Sequence, residues 1–577
     1  MKTAAKALCA AVALWCCTAE AWPQQAATLR VGLWTLWHDH EVTVAAAEAG
    51  ATVRTCDRCA PMPLTHEMKL RAEGNSVTFN RTRAAEVWLS GALTLEAHGE
   101  RIQLPWPLHG IAHDGVLIMA ATMPVERYVE RVVASESGAG DSDESLKALA
   151  VVVRSFALHV RHGHSEYDLC DATHCQLLHW STTGREAAAH AATLRTAGET
   201  LWFHGQRAGA WFHQNCGGHT AAPAEVWGSK GAAAPWLVGR ADPYCIAHGV
   251  REWSTTLTLA ELTQALASQG LAAPGWKTLT VVKRGESGRA VMLMAGATAV
   301  SAEDFRLAVG RALGWNRIPG TWFELSQQSN GFLFHGRGTG HGVGLCQAGA
   351  AAMAAQGLNA EAILKQYFPA AETRDEASGL VWRSVEHAPI SLESLDTSDA
   401  AFLPVLENAW AGASTQSGIP TRIQVTVRVF RSTPEFRAAT LAPGWVAAFT
   451  EGNWIGAQPL RILAARHLLD SVMRHEFLHV LVEQEAGSKA PLWLREGLVE
   501  AWTRNGHRNG QKMPPAKMSL EDVDRALEHP ASETASEAAH MAARQYAEKL
   551  LTNYGRAQLL AWLRNGVPAQ ALASLDR

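Results

Sequence analysis

Hydrophobic and polar positions alternate in short runs over residues 28 to about 120, as in Leu29-Arg-Val-Gly-Leu33 and Ala85-Glu-Val-Trp-Leu89. Turn residues separate the runs, so this stretch is expected to be mostly β. After Met123 the period changes. Pro124 suits a first helical position, and Val125, Val129, Val132 and Glu136 follow at steps of four, three and four, which predicts a short helix whose inner stripe ends in a carboxylate. A second helix is expected to start between Asp141 and Glu144, to carry Leu146, Leu149, Val153, Phe156 and Val160 on one face, and to end before Gly163. Mixed strands and Gly-rich turns run to about residue 345, followed by an Ala-rich helix and a helix ending near Tyr367-Phe368-Pro369. Residues 371–400 are polar and acid-rich without a clear period and read as linker. A new module follows. It opens with the strand Ile423-Gln-Val-Thr-Val-Arg-Val-Phe430, continues in a long helix from about Leu460 to Glu485 capped by Gly487, and ends in helices to Arg577.

These elements predict an α+β protein of more than one domain: a mixed, β-rich first module with a helical segment, then a mainly helical α+β module. The length, 577 residues, agrees with two or more domains. The expected division is 1–21 as a signal peptide, 22–385 as the first module, 386–419 as linker and 420–577 as the second module. Lys2 and Lys6, the apolar run Ala7 to Cys17 and the small residues of Ala19-Glu20-Ala21 before Trp22 form the export signal. The apolar run is too short to span a bilayer, and no later stretch reaches 18 apolar residues. A periplasmic or secreted protein with no transmembrane segment in the mature chain is therefore expected. A net charge of −4 leaves no basic excess for a phosphate backbone, which argues against nucleic acid as a partner. The chain holds 22 Trp against 6 Tyr, and indole faces suit sugar rings as well as protein cores.

Past the signal, seven cysteines remain: Cys56, Cys59, Cys170, Cys175, Cys216, Cys245 and Cys346. An exported chain retains disulfides, but an odd count leaves at least one thiol free, bound to metal or paired between chains. Cys56 and Cys59 form a CxxC that suits either a local disulfide or a redox role. Cys170, His174 and Cys175, with His164 upstream, have zinc-ligand chemistry, and a Cys170–Cys175 disulfide is the competing reading. Cys216 and Cys245, each beside a turn, are candidates for a structural disulfide.

Glu136 stands out as a stripe carboxylate near a helix C-terminus, where desolvation and the helix dipole would both raise its pKa, as a general acid requires; on periodicity alone a solvated Glu at a frayed helix end is the competing reading. The stretch Val132-Val-Ala-Ser-Glu136, followed by Leu146-Lys-Ala-Leu-Ala-Val-Val-Val-Arg154-Ser-Phe-Ala-Leu, resembles the core signature of the SpoIID/LytB family. Four further blocks agree in order: Tyr167 to Gln176, Trp211 to Thr220, Gly336 to Gln347 and Ile363 to Pro369. The resemblance covers roughly residues 28–385. It implies a lytic transglycosylase that cuts peptidoglycan glycan strands stripped of their peptides, with Glu136 as the catalytic acid and base. One carboxylate suffices for such a reaction: it protonates the leaving oxygen, then takes the proton of the muramic acid hydroxyl that closes a 1,6-anhydro ring. The resemblance also allows metal at the Cys170 to Cys175 block. The LytB side of the family name allows an alternative, a glycan-binding enhancer of another wall hydrolase that does not itself cut, with a silent or unrelated second module.

Arg154 is expected in the cleft as a substrate-binding charge, the competing reading being a surface residue with a snorkelling stem. Gly occupies every second position from Gly336 to Gly344, which is not phosphate-loop spacing and suits a strand approached closely by a ligand. Arg337, His341 and Gln347 there offer hydrogen-bond donors to a sugar. Cys346 stands where the family usually has Ser, and Thr339 where an aromatic is common.

In the second module His475-Glu476-Phe477-Leu478-His479 places two imidazoles one helical turn apart, able to share a zinc, with Glu476 as the base toward water. A catalytic zinc needs a third ligand, and Trp493-Leu-Arg-Glu496-Gly-Leu-Val-Glu500 supplies Glu496, with Glu500 one turn on. The pairing resembles the gluzincin metallopeptidases, which implies zinc as cofactor and a peptide or protein substrate that the sequence does not identify.

Overall fold

The computed structural model describes residues 27–575 except positions 139, 161–162, 232–233, 273, 421, 443–445, 505–517 and 529–531. The expected signal peptide lies outside the described residues. No described helix is long and apolar enough to cross a membrane.

The chain is mixed α+β. Strand β1 (Thr28–Leu33) pairs antiparallel with β2 (Val116–Pro124) inside a seven-stranded sheet; the strands between them in sequence supply four more of its members and all of a six-stranded sheet. Alternating burial along these strands, such as Val42 and Val44 inside with Thr43 between them, puts one face of each sheet into a shared core. Pro124 ends β2 and directly precedes α1 (Val125–Glu136), which buries Val125, Tyr128, Val129, Val132 and Val133 and stops at Ser137. In α2 (Asp143–His159) the Ser145 hydroxyl accepts the Ser142 N–H at 3.0 Å and so secures the first turn. This helix is buried nearly all round, because its two faces serve two cores. Leu146, Leu149 and Val153 pack with α1 and the sheets, while Ala148, Val151 and Val152 pack with the segments around Cys216 and Cys346. It ends at His159, one turn earlier than Gly163.

Two short strands position the remaining motif blocks. Strand β3 (Leu169–Cys170) pairs parallel with β1 and carries the Cys170 loop. Further on, β4 (Phe212–His213) pairs parallel with β5 (Leu345–Cys346), which leads into helix α3 (Gln347–Ala355).

The stretch 386–419, expected as linker, is folded. Strands β6 (Arg383–His387) and β7 (Ile390–Ser394) begin a five-stranded sheet, and helix α4 (Leu403–Ser417) covers it, with Ile390, Leu392 and Leu406 at most 1% exposed. The sheet order is β6-β7-β8-β10-β9, with β8 Val425–Val429, β9 Ala448–Glu451 and β10 Trp454–Ala457. The expected long helix is two helices: Leu460–Ala465, then α5 (Leu469–Glu485). His467 between them has φ 57°, outside the helical region, and turns the chain. Helix α5 ends at Ala486. Gly487 is used instead for a close approach, since its N–H bonds Leu563 O and a Cβ there would strike the Arg564 backbone. Helices α6 (Leu492–Arg504) and α7 (Glu533–Asn565, broken at Gly555) complete the layer.

The C-terminal sheet is anchored to the preceding part of the chain. Arg428 on β8 is 2% exposed, donates to Glu199 Oε1 at 2.7 Å and to the Arg195 carbonyl at 2.9 Å, and stacks on Trp382.

Candidate functional sites

Glu136 is the last residue of α1. Leu177 N–H donates to its Oε1 at 3.2 Å, and the Gln347 amide donates to its backbone carbonyl at 2.9 Å. Burial of the carboxyl pushes its pKa up to about 7, and the Leu177 N–H only partly opposes the shift. The carboxyl thus holds a proton near neutrality in a place that the three motif blocks around residues 136, 177 and 347 build together.

The loop that supplies Leu177 also carries the thiols. Cys170 and Cys175 are not joined by a disulfide. His164 Nε2 lies 3.2 Å from Cys175 Sγ, and His174 Nδ1 lies 3.8 Å from Cys170 Sγ and 3.7 Å from Cys175 Sγ. The donor atoms of these four residues all fall within 4.8 Å of one another. Two sulfurs and two imidazole nitrogens converging on one point are a chemically suitable set for zinc. One residue beyond the cluster, Gln176 Oε1 accepts from the buried Tyr128 hydroxyl on α1 at 3.0 Å, which ties the loop to the helix that carries Glu136.

Arg154 is not beside Glu136. It is 1% exposed and grips Glu126 with two bonds, Nε to Oε1 at 2.9 Å and Nη2 to Oε2 at 2.6 Å, while its other contacts are the carbonyls of Glu199 and Thr193. Glu126 and Glu136 occupy opposite ends of α1, about 15 Å apart at 1.5 Å per residue. The guanidinium is therefore a buried brace at the far end of the helix. Sequence spacing alone could not reveal this, because the two partners lie 28 residues apart on different helices.

Of the three donors expected on the Gly-rich stretch, Gln347 reaches Glu136. Arg337 is exposed and stacks on Trp322, 3.6 Å from the ring centre. His341 is enclosed beside His213 and Trp227; burial drops its pKa to about 4, and its Nδ1 accepts the Val343 N–H at 3.0 Å. The glycines serve approach by protein backbone more than by ligand. At Gly338 (φ +77°) a Cβ would sit 2.8 Å from Asn215 O, and at Gly344 (φ +76°) it would strike the Trp211 carbonyl. The spacing thus lets the 336–347 block lie against the 211–217 block.

Of the other cysteines, Cys56 and Cys59 form a disulfide. Cys216 and Cys245 do not; both are buried free thiols beside Cys346.

In the C-terminal part, His475 Nε2 and His479 Nε2 lie 3.0 Å apart on α5, and Glu496 Oε2 from α6 lies 3.7 Å from His479. Charge attraction from His479 holds Glu496 down at about 2 despite its burial. Glu476 accepts from the Thr450 hydroxyl on β9 at 2.6 Å. Thr503 and His540 are two further groups that sequence spacing did not indicate. The Thr503 hydroxyl lies 3.4 Å from His475 Nδ1, and His540 Nε2 lies 3.5 Å from Glu496 Oε2. These groups line a cleft of about 870 Å³ between β9 and helices α5 to α7. Two imidazoles and a carboxylate follow one another beside a buried glutamate and are the donor types of a three-ligand zinc site, so their chemistry is compatible with the metal that the sequence implied.

Two family models match the chain: SpoIID, described as stage II sporulation protein, over residues 113–203, and a domain of unknown function, DUF8618, over residues 248–344. The chain is 29% identical over 264 residues to an uncharacterized protein of Brachyspira hyodysenteriae, a similarity covering 45% of this chain and 68% of that protein. It is 27% identical over 334 residues to stage II sporulation protein D of Bacillus subtilis, covering 53% of this chain and 88% of the relative. The first match contains α1, α2, Glu136 and the Cys170 loop, and together these similarities support the SpoIID family for this part of the chain.

Proposed function

We propose that the chain is an exported cell-wall enzyme that cleaves peptide-stripped peptidoglycan glycan strands as a lytic transglycosylase, with Glu136 as its single acid and base. The observation that carries this reading is the Glu136 carboxyl, whose pKa burial raises to about 7. A group that titrates near neutrality is suited to give a proton to the leaving glycosidic oxygen and then accept one from the sugar hydroxyl that attacks. Leu177 N–H would steady the carboxylate between the two steps, and Gln347 fixes the helix end that presents it. Similarity to a stage II sporulation protein D supports peptidoglycan as the substrate. The test is digestion of purified, peptide-free glycan followed by mass spectrometry. Anhydro-muramic ends are expected, and their absence with intact glycan binding would leave a binding protein instead.

The second part of the proposal is a zinc-dependent peptidase at His475, His479 and Glu496. Zinc bound there would act as a Lewis acid toward water and a peptide carbonyl. Glu476, held by Thr450, faces the same cleft and would take the proton from the attacking water. The full-length chain is the proper material for testing it. A 390–577 fragment would lack strand β6 and would strip Arg428 of Glu199 and the Arg195 carbonyl.

A further inference from the structure

Cys216, Asp242, Cys245 and Cys346 come from three separate segments and meet in the second core, each with no solvent exposure. Their donor atoms all lie within 4.8 Å of one another. We propose that these four residues form a second thiolate metal site, a closed tetrahedral Cys3Asp site for zinc. It is separate from the His164 to Cys175 cluster and from the HExxH cleft.

The span of the donors suits a single ion. Tetrahedral Zn–S bonds of about 2.3 Å place ligand sulfurs about 3.8 Å apart, and a multinuclear iron–sulfur cluster would spread them farther. Backbone amides point at two of the three sulfurs. Cys346 Sγ accepts backbone N–H groups from Cys216 at 3.2 Å and from Gly349 at 3.4 Å, and Cys216 Sγ accepts from Gly218 at 3.3 Å. Neutral thiols are weak acceptors, whereas amides aimed at sulfur steady the negative charge that a bound cation balances. Asp242 is oriented in the manner of a ligating carboxylate. Its Oδ1 accepts the Cys245 N–H at 2.9 Å, and its Oδ2 accepts the Tyr367 hydroxyl at 2.9 Å and lies 3.3 Å from Cys216 Sγ. Gly349 is needed beside it, because a Cβ there would sit 2.6 Å from Asp242 Oδ2. The nearby buried Arg289 spends two donors on the carbonyls of Cys216 and His219, so it is not a dedicated counter-ion. Binding releases the thiol protons, with no change of oxidation state.

The location gives the site a task. Cys346 ends β5 and precedes Gln347, the residue that bonds Glu136. The ion would staple the 211–217 block, the short helix Pro243–His248 and the start of α3 into one unit, and so fix where Gln347 stands.

Cobalt substitution of the full-length chain tests this. The HExxH cleft supplies no sulfur, so thiolate-to-cobalt charge-transfer absorption reports cysteine ligands alone, its loss with C346S assigns it to this cluster, and this readout is independent of both proposed activities. In the C170S/C175S double variant the band and tetrahedral visible absorption are expected to persist, and adding C346S is expected to abolish or strongly weaken them. The proposal is overturned if the folded double variant shows no such band, or if peptide mapping finds a Cys216–Cys245 disulfide. Should the double variant not fold, zinc is counted in the unaltered chain and in the C346S single variant: one ion fewer per folded chain supports the site, and an unchanged count overturns it.

Discussion

The side-chain amide of Gln347 donates to the backbone carbonyl of Glu136 at 2.9 Å, joining positions 211 residues apart in sequence. Glu136 O is at the unsatisfied end of α1, so this bond both closes the helix and aims its last side chain. Gln347→Ala is expected to cost about 1 kcal/mol of stability, as one lost hydrogen bond does. It should also lower the glycan cleavage rate by about tenfold through misplacement of the acid. Thermal melting and a cleavage assay on the same preparation check both numbers. A variant with wild-type turnover would remove Gln347 from the site.

Glu136→Gln keeps shape and loses the proton, so cleavage should fall by about 10² to 10⁴ or more while glycan binding remains. The pH dependence has a definite sign. The folded pKa of Glu136 is raised from 4.5 to about 7, so its favourable contribution is full below about pH 4.5 and is lost as pH rises through 7. Gln carries no such dependence. The variant should therefore gain stability relative to the wild type between pH 5 and pH 8, on the order of 2–3 kcal/mol at most. Cleavage by the wild type should decline above pH 7, where the acid form disappears. Paired melting curves across that range decide the first point, and a pH–rate profile the second.

Local pattern made the first helices legible, because Val125, Val129 and Val132 repeat at helical spacing and all are buried in α1. What it missed depends on distant partners. Strand β7 looked like linker because its only apolar positions are Ile390 and Leu392; its pairing with Val425–Val429 is parallel and non-local. The break at His467 is a single left-handed residue between two apolar helical runs, a conformation that no spacing rule indicates. Cys216 and Cys245 suggested a disulfide by their turns, but Cys346 and Asp242 join them only in the folded chain. Asn215, two residues from His213, likewise gains its bridge to Thr339 only when the two glycine-bearing blocks meet.

Arg154 gives a prediction of a different kind. Replacing one member of a buried ion pair leaves its partner charged and unmatched, at about 3–5 kcal/mol. Arg154→Met should show that loss in thermal unfolding, whereas cleavage per folded molecule should stay near that of the wild type. Arg154→Lys should be intermediate, since the ammonium lacks the two-pronged geometry that meets Glu126. Cleavage that collapses in a fully stable Arg154 variant would return the residue to substrate contact.

The HExxH cleft separates ligand from base most sharply. Glu496 comes within 3.7 Å of His479 and Glu476 instead hydrogen-bonds Thr450, so the two glutamates have distinct expected losses. Glu476→Gln should retain the metal and lose peptidase activity, because it removes a base and no ligand. Glu496→Ala should lose that one metal. His540, 3.5 Å from Glu496, orients the carboxylate, so His540→Ala should weaken metal affinity by about 10- to 100-fold, the usual effect of removing such an outer partner. Metal content has to be read on the full-length chain, with thiol-bound ions counted separately through their cobalt spectra. If the unaltered chain holds no sulfur-free metal site after zinc loading, the peptidase half of the proposal fails and the transglycosylase half is untouched, because Glu136 depends on none of these residues.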